Sequence, residues 1–307
     1  MGSEIRDSLD TYVAFQLAEL EGCLPLVASA DQEAVHEARL ALRRLRSVLS
    51  CYGRHLPPVP AGTRRDIRWL AQSLGEARDH YVLSQRMTLW LDAPVTWESG
   101  DALRNAVSGL VDSSNNIARR VAAEPRARET LDAAARAIFP EPIPQDERRA
   151  PNLGAAVVLL QEAWVTAQGS LGRAAAAGTG RNEELHQARK DIKGLRYAVE
   201  AIAGAAGGAL AAIIQAAMTL QRALGEQHDS VTSLAWLAGL AGRPGLAASD
   251  LQELGLMEQR RLDQAETTVR EALRNSPIPE PRHAFPDGKS SGTLAFHPPP
   301  GQSHSAL

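Results

Sequence analysis

Apolar residues recur every three or four positions along most of the chain, the spacing that gathers them on one face of an α-helix. In the stretch 62–92, Ile67, Leu70, Leu74, Ala77 and Tyr81 share a face, while Arg65, Arg68, Gln72, Gly75 and Asp79 occupy the opposite one. Breaks at Gly and Pro divide the pattern into helices predicted near 4–22, 31–52, 62–92 and 99–123, and again near 152–176, 182–206, 208–241 and 247–274. A short connecting helix is predicted over 125–138, and the Pro-rich stretch 139–152 reads as a linker. Short connections within each set predict antiparallel packing. The expected fold class is therefore all-α: two four-helix bundles, about 4–138 and 152–274, within one unit over 4–274. From 275 to 307 Pro, Ser and Gly take over, with too few apolar residues to offset the entropy of ordering, and a disordered tail is expected. Its histidines, His283, His297 and His304, are too widely spread to read as a metal site.

Composition narrows this further. Only 4% of the 307 residues are aromatic, and Ala, Leu, Arg, Glu and Gln, which lose little rotamer freedom in a helix, dominate the middle of the chain. The formal charge of −3, from 33 Lys plus Arg against 36 Asp plus Glu, excludes a generally basic coat, so any anion site must be local. Met1 to Leu9 carry no basic-then-apolar leader pattern, and no run of about 18 apolar residues suits a membrane span, which makes the cytoplasm the expected location. Cys23 and Cys51 have no second cysteine close by, and both read as packed thiols.

The chain also repeats itself. VHEARLALRRLRSVLSCY (35–52) aligns with LHQARKDIKGLRYAVEAI (185–202), an offset of 150 residues that pairs His36 with His186, Arg39 with Arg189, Arg43 with Lys193 and Arg46 with Arg196. LAQSLGEARD (70–79) aligns with LQRALGEQHD (220–229) at the same offset, pairing Gly75 with Gly225, Glu76 with Glu226 and Asp79 with Asp229. Chance similarities would not agree on one spacing, so internal duplication is the better explanation.

At about 100° per residue, Arg39, Arg43 and Arg46 lie roughly −60°, −20° and −80° from His36, so the four form one stripe. Arg44 points elsewhere, and its counterpart is Gly194: the repeat keeps the charges that share a face and drops the one that does not. Like charges in a row repel unless acids or an anion compensate them. A linear polyanion suits such a row, because each Arg offers a fork of donors to phosphate oxygens and Lys adds a point charge. A single basic face is more often simply solvated; its recurrence at one offset favours a ligand. Asp79 and Asp229 are placed to orient stripe arginines or to make ordinary surface ion pairs, and Gly75 and Gly225 to admit a close neighbour.

This His-x-x-Arg-x-x-x-Arg/Lys-x-x-Arg pattern, followed by Leu-Gly-x-x-x-Asp and duplicated once, resembles the CHAD domain over about residues 4–274. The resemblance implies paired helical bundles about a basic central groove or pore, and binding of inorganic polyphosphate, in some members at polyphosphate granules with their associated proteins. The implied contacts are His36, Arg39, Arg43, Arg46, His186, Arg189, Lys193 and Arg196, with Arg44, Arg65, Arg68 and Arg222 as weaker candidates. Some members carry a CYTH triphosphatase domain, but no Glu-x-Glu-x-Lys strand pattern occurs here.

Two other classes compete. A phosphohydrolase or polyphosphatase needs metal-holding carboxylates or a positioned base, and near the stripes the sequence offers mainly Asp79 and Asp229. A nucleic-acid-binding module needs exposed aromatics among the cations, which the stripes lack, and a helical protein scaffold needs no stripe at all. The expectation is a binding protein without catalysis, metal or cofactor.

Overall fold

Every periodic segment forms a helix. The computed structural model describes residues 2–140, 153–177, 181–275 and 277–285. Its helices are α1 (Gly2–Ala28), α2 (Gln32–Cys51), α3 (Ala61–Leu91), α4 (Gly100–Ala123), α5 (Pro125–Ile138), α6 (Leu153–Ala176), α7 (Arg181–Ala206), α8 (Ala211–Leu240) and α9 (Ala248–Asn275). Single 3-10 turns occur at Gly207–Leu210 and Pro281–Ala284, and there is no strand among the described residues. The fold class is all-α.

Local chemistry sets several boundaries. The Asp31 carboxylate caps α2 by accepting the Ala34 N–H at 2.8 Å. Helix α1 runs past its expected end at 22 with Pro25 inside it, because Leu24 and Val27 remain buried beyond that point. Their burial outweighs the hydrogen bond a proline removes. Ala30, in the left-handed region at φ 61°, then turns the chain into α2.

Consecutive helices pair as α1 with α2, α2 with α3, α3 with α4, and likewise α6 with α7, α7 with α8 and α8 with α9. The buried residues do not divide into one core per half, however. Those of α1, α2, α6 and α7, with the near ends of α3 and α8, make one continuous cluster in which Leu42, Leu45, Ile192 and Leu195 are almost wholly buried. A second, smaller cluster forms where the far ends of α3, α4, α8 and α9 meet, around Met87, Leu103, Leu237 and Leu254. Polar ties cross between the halves as well: Tyr52 Oη donates to the Ala198 carbonyl at 2.8 Å, and Ser8 Oγ to the Ala201 carbonyl at 3.0 Å. At the far end, Asp250 accepts the Ser99 N–H at 2.6 Å and the Glu98 N–H at 3.1 Å.

The expected linker falls largely on 141–152, outside the described residues. The first part of the expected tail is ordered. Residues 277–285 lie along α6, where Trp164 Nε1 donates to the Ile278 carbonyl at 2.9 Å, and Ile278 and Phe285 are 2% and 8% exposed. Two apolar anchors around one 3-10 turn suffice to hold this short segment, a signal that average composition hides. His283 is exposed beside Glu280, and the remainder of the predicted tail, 286–307, lies outside the described residues.

Candidate functional site

Helices α2 and α7 pack against each other, and their packing brings members of both stripes to one groove. The Arg43 guanidinium has its pKa pushed down to about 10, first by burial and then by Arg39 of its own helix and Arg189 of the other half. Lys193 is pushed well below the ordinary lysine value by burial, then by Arg189, Arg43 and Arg39. Arg189 is lowered by burial and by Arg39, with Asp229 opposing the shift. Each central cation thus senses at least one cation of the other repeat. A cavity of about 650 Å3 opens here between α2, α6 and α7, with Arg43 and Arg46 on one wall and His186, Arg189 and Lys193 on another.

Helices α3 and α8 supply the groove's acids and its close approaches. Arg39 Nη2 donates to Asp79 Oδ1 at 2.8 Å, and its Nε would stand 3.6 Å from a Cβ placed on Gly75. Arg189 passes Gly225 in the same way, its Nη2 3.8 Å from such a Cβ. The neighbour that the two glycines admit is therefore a stripe arginine. Asp229 has its pKa raised by burial, against the pull of Arg189 and Arg86.

Not every expected contact faces the groove. Arg196 Nε lies 3.0 Å from Glu200 Oε1, and Arg44 Nε 3.8 Å from Glu200 Oε2, so both arginines serve to neutralise a carboxylate that is only 7% exposed. Arg196 also covers the buried Tyr197 ring, with Cζ 4.7 Å from its centroid. Arg46 is exposed, and its pKa is lowered by loss of solvent around the guanidinium and by Arg68. Arg65, Arg68 and Arg222 are exposed on their helices, and His36 is half-buried at the head of its stripe.

Some groove residues were missed. Lys190 and Arg54 line the cavity although they sit off the stripes; each is one helical turn or a loop step from a stripe member, and only docking brings it in. The His228 ring lies 4.7 Å from that of His186, centroid to centroid. Burial, then Arg189 and His186, hold the His228 pKa down at about 4, while burial and the lysines and arginine around it lower that of His186. Behind Asp229, Arg86 Nε donates to the fully buried Glu258 at 2.6 Å and Arg86 Nη1 to Glu226 at 2.8 Å, a network that joins α3, α8 and α9. Its sequence signal was a charged residue set between Leu83 and Met87 on an apolar face.

The sequence matches the CHAD domain family over residues 11–238. The chain belongs to that family. Among solved structures, this CHAD protein resembles the CHAD domain from the plant Ricinus communis, with 22% identity and a TM-score of 0.71 over 89% of this chain and 92% of that one. It also resembles PptA from Streptomyces chartreusis, with 18% identity and a TM-score of 0.70 over 88% of this chain and 99% of that one. No curated protein matches the sequence. At these identities the likeness concerns the fold; the reading of the groove rests on the residues themselves. No helix of the described residues is long and apolar enough to cross a membrane.

Proposed function

We propose that this CHAD protein binds linear inorganic polyphosphate in the groove between α2 and α7 and does not cleave it. The observation that carries this reading is that Arg43 of one repeat and Arg189 and Lys193 of the other line one cavity of about 650 Å3, where burial first and then neighbouring cations lower their pKa values. Cations crowded so closely in a partly dry groove destabilise one another until an anion arrives, and a chain of phosphates supplies closely spaced negative charge to all of them. The contacts are then Arg39, Arg43, Arg189 and Lys193 at the centre, with His36, His186 and Arg46 beside them. Arg44 and Arg196 act indirectly, by holding Glu200.

The non-catalytic part of the proposal rests on how the acids are engaged. Asp79 already accepts from Arg39, and Asp229 lies among Arg189 and Arg86. Among the described residues no group of three or more His, Cys, Asp and Glu is placed to hold a metal ion. A sequence-tolerant nucleic-acid site would stack bases on exposed rings, whereas Tyr197 is 3% exposed beneath Arg196. Residence at polyphosphate granules, with granule proteins as neighbours, follows from the family resemblance, and a fluorescent fusion in polyphosphate-rich cells tests it.

The binding experiment is a competition assay with labelled long-chain polyphosphate, and RNA at matched charge and salt as competitor. Polyphosphate is expected to compete far better than RNA, and incubation is expected to release no orthophosphate. Equal competition would favour a general polyanion binder, and phosphate release lost in Asp79→Asn would make the protein an enzyme.

A further inference from the structure

The two repeats differ most where one of them is filled and the other is open. On the side where α1 packs closely on α7, Glu200 is enclosed by Arg196, Arg44 and the Tyr12 hydroxyl, which donates to Glu200 Oε2 at 3.2 Å. The 150-residue offset carries this cluster onto the cavity wall, with Ser50 for Glu200, Gly194 for Arg44, Arg46 for Arg196 and Glu162 for Tyr12. There the helix corresponding to α1, α6, touches α2 only slightly, and a Cβ on Gly194 would meet nothing within 4 Å. Arg46 thus stands where its counterpart has a carboxylate four residues on, but has a serine in that place. Arg54 and Lys190 continue the basic lining, while the acid Asp191 is engaged by Gln187 Nε2 at 2.9 Å and Glu162 is exposed on the α6 rim.

We propose that a linear phosphate polyanion leaves the groove on this side only, over Arg46 and Arg54, because the Tyr12–Arg44–Glu200–Arg196 cluster closes the other side. This rests on the polyphosphate reading of the groove. The closed side offers the chain a bulky plug whose two arginines are already engaged by Glu200; the open side offers a widening path of cations. The protein therefore holds the polyanion asymmetrically although its repeats descend from one pattern, and Arg54 is a contact that the stripes do not include.

The full chain is titrated with long-chain polyphosphate and with tripolyphosphate over a range of salt. One variant, Ser50→Glu with Gly194→Arg, rebuilds on the open side the pairing found on the closed side. The other, Arg54→Gln, changes one exposed residue outside the central groove contacts and guards against misfolding of the first. Both are expected to weaken long-chain binding by about tenfold or more while leaving tripolyphosphate nearly unaffected. The second is also expected to lower the salt slope for the long chain by roughly one, for the single cation removed. Unchanged long-chain affinity, or an equal loss for both ligands, overturns the one-sided exit while leaving the groove itself in place. Failure of the unmodified protein to bind either ligand removes the polyphosphate reading and the exit with it.

Discussion

Arg39 Nη2 and Asp79 Oδ1 meet at 2.8 Å across the α2–α3 contact, so the first cation of the groove is aimed by an acid that also competes with any phosphate for it. The two roles separate by substitution. In Asp79→Asn an amide oxygen still accepts from Arg39 but the negative charge is gone, and polyphosphate affinity at low salt is expected to rise a few-fold. Asp79→Ala removes the acceptor as well, and it is expected to bind less tightly than Asp79→Asn. Equal affinity in the two variants would reduce Asp79 to a surface ion pair. Because the Asp79 side chain is 59% exposed, either change should cost less than about 1 kcal/mol of stability.

Lys193 sets stability against function. Its ammonium is disfavoured by burial and by Arg189, Arg43 and Arg39, and replacing a poorly compensated buried charge by an apolar side chain of similar length is commonly neutral or stabilising. Lys193→Met is expected to leave the melting temperature of the free protein unchanged or raise it by roughly 2–4 °C, the shift that about 1 kcal/mol produces in a chain of this size. Polyphosphate affinity is expected to fall by about tenfold or more. A variant that melts lower and binds normally would assign Lys193 to the fold instead.

The histidine pair gives the free and bound proteins opposite responses to acid. His228 titrates at about 4 in the folded protein and His186 also lies below its ordinary value, so between those values and about 6.5 the unfolded chain holds the extra protons. Their contribution to stability is intact above about pH 6.5 and is lost as the pH falls toward 4. Melting of the free protein should therefore drop over this range, and less so in His228→Asn. A phosphate beside the pair raises both values again, so affinity for polyphosphate should weaken as the pH rises from about 5.5 to 8, with proton uptake on binding. Flat affinity over that interval would remove the histidines from the contact set.

Helix positions were legible in the sequence because apolar spacing and caps are local: Asp31 marks the start of α2, and the far ends of α3 and α8 lie close to where Gly and Pro place them. The stripes were legible for the same reason, since one helical turn fixes which of Arg39, Arg43, Arg44 and Arg46 share a face. What the sequence did not show depends on docking. Arg196 keeps stripe spacing yet turns to Glu200, a residue whose counterpart is Ser50, so no repeat-based reading marks it. That Arg43 and Lys193 come near each other, and that the halves share one core around Leu45 and Leu195, depends on how α2 and α7 dock. Ile278 and Phe285 show that a few apolar residues can order a segment whose composition reads as disordered.

The most direct measurement is a calorimetric titration of the protein with long-chain polyphosphate at two salt concentrations, beside a variant carrying Arg43→Gln and Lys193→Gln. Counterions released as the groove cations neutralise phosphates make affinity fall steeply with salt. The expected result is tight, salt-sensitive binding by the unmodified protein and, in a variant that keeps its helical content, weak binding with a slope reduced by about two. Equal affinity and slope in the two proteins would contradict a polyanion site between α2 and α7.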